Sequence, residues 1–364
     1  MKLTKSPILN KIKSTIRKPL YLVLVVLLCC SHDLYLKMGT YFLESNQDAI
    51  ISLFNGTFER SENIITRDRM LDASLVGQGD RLPIDPDWWK DQDSTITQLT
   101  LNSGDAGTYM VGVSTKARNI ELTSNEFNDY LKHDGILDML EQRTNDGVLD
   151  QDAVESYQKH VKAIYQVGEK KTNDWSTVLG YPIEFVPQAN PYDSYSGEKL
   201  EVQVLLDGQP LSNQLVYADY IKSTHSHSHH THEHDSHGHS HDDGHSHDEE
   251  HSHEGHTHSH DSDEGHTHTS GQKLRTNEKG MVNVNLPEDG IYYLRTIHMV
   301  QVTNSEELTH ESKWATLSFE VTHEHSADTH THDHDHEEGI STWIFILASI
   351  LIIGALFLVF RKKK

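Results

Sequence analysis

Leu200-Glu201-Val202-Gln203-Val204-Leu205-Leu206-Asp207-Gly208-Gln209-Pro210-Leu211 alternates apolar and polar side chains and then breaks at Asp207-Gly208. A period of two puts every second side chain on one face of a half-buried strand, and Asp-Gly supplies the positive backbone angles of a tight hairpin. The same pattern recurs downstream at residues 215–220, 282–286, 292–302 and 314–321. Upstream it returns in Leu34-Tyr35-Leu36, Ile50-Ile51-Ser52-Leu53 and residues 97–101 and 109–113, with turn signals at Asn55-Gly56 and Gly104-Asp105-Ala106-Gly107. Many short strands with turns between them predict a mainly β chain.

Between the two groups of strands, Thr123-Ser124-Asn125-Glu126 matches a helix-capping box, and Phe127, Tyr130, Leu131, Leu137 and Leu140 follow at helical spacing. A second helix is expected after Asp150, with Val154, Tyr157, Val161 and Ile164 on one face. The expected organisation is two β-sandwich domains, residues 32–180 with the helical insert and residues 181–322. In the second, expected to be transthyretin-like or immunoglobulin-like, Asp207 to Leu211, Arg275-Thr276-Asn277-Glu278-Lys279-Gly280 and Asp289-Gly290-Ile291-Tyr292 resemble transthyretin-like or carboxypeptidase-regulatory-like sandwiches, a likeness of fold only.

Residues 224–272 interrupt that sandwich. They contain no aliphatic, aromatic or proline residue. With nothing to bury, this stretch cannot offset the entropy of ordering, so a disordered His-rich loop is expected.

Both ends carry membrane signals. Lys2, Lys5, Lys11, Lys13, Arg17 and Lys18 precede an apolar run from Leu20 to Cys30 that is too short to span a bilayer, so residues 1–31 read as a secretory signal peptide. Residues 340–360 are long and apolar enough for one transmembrane helix, with Trp343 at its interface and the basic tail 361–364 behind it. The positive-inside rule puts that tail in the cytoplasm and the body outside the membrane, in the periplasm, with residues 323–339 as a juxtamembrane linker.

The charge of -24 among 364 residues excludes a nucleic-acid partner, which needs clustered Lys and Arg. Cys29 and Cys30 are the only cysteines, so the body has no thiolate and any metal must meet imidazole or carboxylate. The 29 histidines supply the imidazole. Eighteen lie in the loop: His225, His227, His229, His230, His232, His234, His237, His239, His241, His245, His247, His251, His253, His256, His258, His260, His266 and His268, among eleven Asp or Glu and no Lys or Arg. Six more, His323, His325, His330, His332, His334 and His336, precede the predicted span. Repeated His-X-His pairs on a flexible chain let imidazoles converge on one ion, and the carboxylates offset its charge. Nickel, cobalt and zinc are the ions expected; nothing in a floppy loop selects among them.

His32 is a separate candidate. If the signal is cut after Ser31, its α-amine and imidazole form a compact chelate; if after Cys30, Ser31-His32 offers amine, amide and imidazole.

His32-Asp33-Leu34-Tyr35-Leu36, Asn55-Gly56-Thr57-Phe58 with Ser61-Glu62-Asn63, Thr66-Arg67-Asp68-Arg69, Leu131 to Gly135, Lys159-His160-Val161-Lys162 running to Gln166-Val167-Gly168, and Leu179-Gly180-Tyr181-Pro182 with Asn190-Pro191 resemble a bacterial envelope family described as a nickel-uptake substrate-specific transmembrane region. The resemblance implies an extracytoplasmic component of nickel or cobalt uptake. It also makes His133 and His160 secondary candidate ligands, both on the predicted helices.

No nucleophile elbow, phosphate loop or complete His-Glu-X-X-His occurs, so the chain does not read as an enzyme. Three readings remain: a membrane-anchored metal-binding accessory that passes ions to a separate transporter, a periplasmic metal buffer or detoxification protein, and a non-enzymatic adhesion or structural protein of the envelope.

Overall fold

A computed structural model describes residues 32–222 and 270–323. In chain order these form β1 (Asp33–Met38), β2 (Phe42–Leu43), β3 (Asp48–Gly56), β4 (Met70–Gly77), β5 (Asp80–Pro83), β6 (Lys90–Asp91), β7 (Ile96–Asn102), β8 (Gly107–Thr115) and β9 (Arg118–Leu122), then helices α1 (Ser124–His133) and α2 (Leu137–Asn145). They continue as β10 (Ala153–Val167), β11 (Ile183–Pro187), β12 (Lys199–Leu206), β13 (Gln209–Pro210), β14 (Leu215–Lys222), β15 (Gln272–Arg275), β16 (Met281–Asn285), β17 (Gly290–Gln301) and β18 (His310–Val321). The mainly β expectation holds, and so do the Asp207-Gly208 turn and the capping box at Thr123. Asp207 and Gly208 both have positive φ, 48° and 75°, where β12 turns into β13. The Thr123 main-chain N–H donates to Glu126 Oε2 at 2.9 Å as the reciprocal half of the capping box on α1.

Three sheets result, and the largest is continuous across the boundary expected at residue 180. Its order is β15-β14-β17-β18-β10-β8-β4-β5, with β2 and β9 also on β10. The others are β1-β3-β7-β6 and β11-β12-β13 with β16 on β12. The sheet of β1 lies on one face of the large sheet, where Thr316 and Ser318 of β18 donate to the Leu34 and Leu36 carbonyls at 2.7 and 2.6 Å. The sheet of β11 lies on the opposite face, where Tyr192 donates to the Ile164 carbonyl at 2.6 Å and Lys162 pairs with Glu184 at 2.5 Å, both side chains buried. The described residues therefore stack as two sandwiches that share one central sheet, not as two separate sheet pairs. One apolar core runs through both interfaces, from Leu34 and Leu53 to Phe185, Val204 and Phe319.

The helix expected after Asp150 is instead β10, the fifteen-residue strand at the centre of the large sheet. Its apolar residues fall on both faces because both are covered: Val161, Ala163 and Tyr165 face the β1 side, while Ile164 faces the β11 side. A strand buried on both sides loses its period of two, and the remaining apolar spacing mimics a helix. Asn55-Gly56, read as a turn, ends β3 and pairs Gly56 with Asp33.

Helices α1 and α2 form a hairpin beside the β1 sheet, on the same face of the large sheet. They bury Phe127, Tyr130, Leu131 and Met139 against Ile297 and Trp314. Gly135 turns the chain between them at φ 71°; a Cβ there would meet the Tyr217 hydroxyl at 2.5 Å.

Among the described residues, no helix is long and apolar enough to cross a membrane. The predicted signal peptide, span and basic tail lie outside them, as do residues 224–269 of the predicted loop and 324–339 of the predicted linker; residues 270–272 of that loop are described, and Gln272 begins β15.

Candidate metal centre

Four of the predicted ligands, His32, His133, His160 and His323, fall within the described residues. His32 precedes β1 and is 7% exposed. His133 ends α1, with Nδ1 2.9 Å from Asp134 Oδ1. His160 sits on β10, not on a helix, with Nδ1 2.9 Å from Ser114 Oγ and its ring beside Tyr181. Alternation along β10 turns it away from His32, whose carbonyl accepts from the neighbouring Lys159. Burial holds the His160 imidazole down at about 4, so it stays neutral and behaves as a core histidine. His323 follows β18, with Nδ1 2.5 Å from Asp289 Oδ1. Among the described residues, no group of three or more His, Cys, Asp or Glu side chains is arranged to hold an ion.

The strand register brings together the places where the histidine-rich segments begin. Lys222 at the end of β14 pairs with Gly290 of β17, and Gly290 pairs with Val321 at the end of β18. Neighbouring strands lie about 4.8 Å apart, so these two strand ends are about 10 Å apart at one end of the sheet. Residue 223 continues from one and His323, first of the second cluster, follows the other. The return point is close too: Gln272 of β15 pairs with Ala218 of β14.

A second feature is a buried polar cluster at the seam between the β1 sheet and the helical hairpin. His32 Nε2 contacts Glu62 Oε2. Lys159 Nζ donates to the His32 carbonyl and, at 3.2 Å, to Asn55 Oδ1. Asp33 pairs with Arg295 Nε at 2.7 Å, both almost fully buried, and Arg295 donates to the Asp134 carbonyl at 2.9 Å. Tyr130 donates to Glu155 Oε1 at 3.1 Å, and Ser312 donates to the same oxygen. Desolvation dominates the energetics: it pushes Glu155 up to about 7 and Lys159 down to about 8. It also lowers His32, against the opposing pull of Glu62, so the imidazole favours its neutral, metal-binding form.

Sequence reading missed this cluster except for His32. Asp33, Glu62, Asp134 and Lys159 stand in the family-like segments, but residues 153–167 read as a solvent-facing helix, and only the strand β10, covered on both faces, buries Glu155 and Lys159 among the others.

A model of the family described as Domain of unknown function (DUF4198) matches residues 31–300. The chain belongs to the DUF4198 family. The DUF4198 match takes in His32, Asp33, Glu62, Asp134, Glu155, Lys159 and Arg295, and stops short of β18. No curated protein matches the chain. Among solved structures, a DUF4785 family protein from Legionella pneumophila is 7% identical over 51% of this chain and 39% of its own, with a TM-score of 0.19. The D0-D1 domain of Intimin is 8% identical over 79% of this chain and 97% of its own, TM-score 0.15. The Yersinia pseudotuberculosis adhesin InvE is 12% identical over 79% and 58%, TM-score 0.18. Scores this low carry no argument about this DUF4198 chain.

Proposed function

We propose that this protein is an extracytoplasmic, membrane-anchored binder of nickel, cobalt or zinc, acting as an accessory to metal uptake. The observation that supports this reading is the register Lys222–Gly290–Val321. Two histidine-rich segments, separate in sequence, continue from strand ends about two strand spacings apart. Imidazoles tethered from such close points share a small volume, so an ion released by one meets another before it escapes. Local concentration of this kind suits capture and hand-on to a separate transporter, and it needs no preformed geometry. The buffer reading uses the same chemistry and differs only in where the metal goes.

The test is metal content of the protein purified from its native membrane without affinity resin, beside a chain lacking residues 224–269. Several equivalents of nickel, cobalt or zinc in the first and a large drop in the second are expected. Equal content in both chains would overturn the reading. Uptake of radiolabelled nickel by cells lacking the protein separates the roles: an accessory lowers uptake, whereas a buffer leaves uptake intact and raises metal sensitivity.

A further inference from the structure

His32 presents half of a chelate whose other half depends on where the chain begins. Its Nε2 contacts the Glu62 carboxylate, which can only accept a hydrogen bond, so the proton of the neutral imidazole sits on Nε2 and the lone pair on Nδ1. Among the described residues, neither Nδ1 nor the His32 main-chain nitrogen takes part in a hydrogen bond. In a histidine these two nitrogens are spaced to close a six-membered ring on a metal ion. As a peptide amide the main-chain nitrogen has no lone pair to give; as a terminal amine it does.

We infer that hydrolysis of the Ser31–His32 peptide bond makes His32 the first residue and completes a preformed site for one copper(II) or nickel(II) ion, held by the α-amine and Nδ1. In that step an export protease adds water across the bond, leaving a carboxylate on Ser31 and an amine on His32. The basic and apolar segments at residues 2–30 are the substrate such proteases recognise. The sheet begins immediately afterwards, where Asp33 pairs with Gly56. Behind the chelate, Lys159 holds the His32 carbonyl and is itself fixed by Asn55, so the main chain is aimed before any ion arrives. Glu62 is the outer carboxylate that fixes the tautomer and raises the basicity of a ligating imidazole. Two nitrogen donors in a six-membered ring follow the general affinity order of the divalent ions, with copper above nickel. The site stands whether or not the histidine-rich segments bind metal.

The experiment uses the full chain, purified in detergent from its native membrane, with the histidines of residues 225–268 and 323–336 replaced by serine. N-terminal sequencing is expected to begin at His32. Titration with copper(II) sulfate is expected to fill one tight site whose paramagnetic resonance shows coupling to imidazole and amine nitrogens. His32→Gln removes that signal, and Glu62→Gln weakens binding at least about tenfold with the thermal transition retained. Because His32→Gln could disturb the fold, the decisive comparison is the same protein selectively acetylated on its α-amine, which leaves every side chain in place. Loss of the tight site on acetylation supports the inference. A first residue other than His32, or copper binding unchanged by acetylation, overturns it. Equal metal content in the serine-replaced and native chains would instead sink the histidine-segment reading and leave this one standing.

Discussion

Lys222 and Val321 end two strands on either side of the same residue, Gly290. Both chain segments that leave from there are dense in histidine, and β15 re-enters the sheet within the same hairpin as β14.

Because β14 and β15 already pair from Leu215–Arg275 to Ala218–Gln272, the chain between them is an insertion in a hairpin. Replacing residues 224–269 with a short Gly-Ser turn should leave the thermal midpoint within a few degrees, since closure entropy depends weakly on length. Calorimetry of the two chains checks this. A loss of cooperative unfolding would show that the segment belongs to the core.

Acid should act on metal and on fold in succession. Exposed imidazoles titrate near pH ~6.5, so metal held by the histidine segments is expected to leave between about pH 7.5 and 5.5. His160 and His310, each 1% exposed, are held by burial at about 4. Their folded values lie below the unfolded one, so the cost of keeping them neutral appears as pH falls under 6.5 and is complete near pH 4. Each contributes on the order of 2 kcal/mol of acid destabilisation. Urea unfolding at pH 7 and pH 4.5 measures it, and His160→Asn should shrink the difference. No change in that variant would mean that His160 is protonated without cost.

Glu155 has the opposite sign. Its folded value is raised to about 7, so its penalty is absent below pH ~4.5, grows as pH rises and levels off above 7. Glu155→Gln keeps an acceptor for Tyr130 and Ser312 without the charge. This variant should match the native chain near pH 4.5 and exceed it by about 1–3 kcal/mol at pH 8. Equal stability of the two at pH 8 would show that Lys159 already neutralises the carboxylate.

Two arginines on the hairpin side separate buried from surface pairing. Arg295→Ala strands Asp33 in the core and should cost about 3–5 kcal/mol. Arg275→Ala breaks a bidentate pair with Asp138 at 2.8 and 2.9 Å, but both side chains are exposed, and the loss should stay below about 1 kcal/mol. Denaturant midpoints of the two variants give the comparison. Similar losses would mean that the Asp33 site admits water when Arg295 is removed.

Several features encoded over a few neighbouring residues were legible in the amino-acid sequence alone, although the Asn55-Gly56 turn signal proved to be a strand end. The alternation of Leu200 to Leu206, the Asp207-Gly208 turn and the Thr123–Glu126 capping box each depend on local geometry, and each appears as read. The concentration of histidine is likewise a property of composition. Only the tertiary structure decided that β10 is a strand, because covering both of its faces erases the period that identifies one. It also decided that the sandwiches share one sheet, since the parallel pairing of β10 with β18 joins residues about 155 positions apart, Glu155 with His310. The polar cluster needed that same pairing. Asp33, Glu155 and Arg295 come from three strands and Asp134 from the turn after α1, and neither charge nor spacing in the sequence marks them as buried. Burial makes them a site, and burial is a property of the assembled sheets.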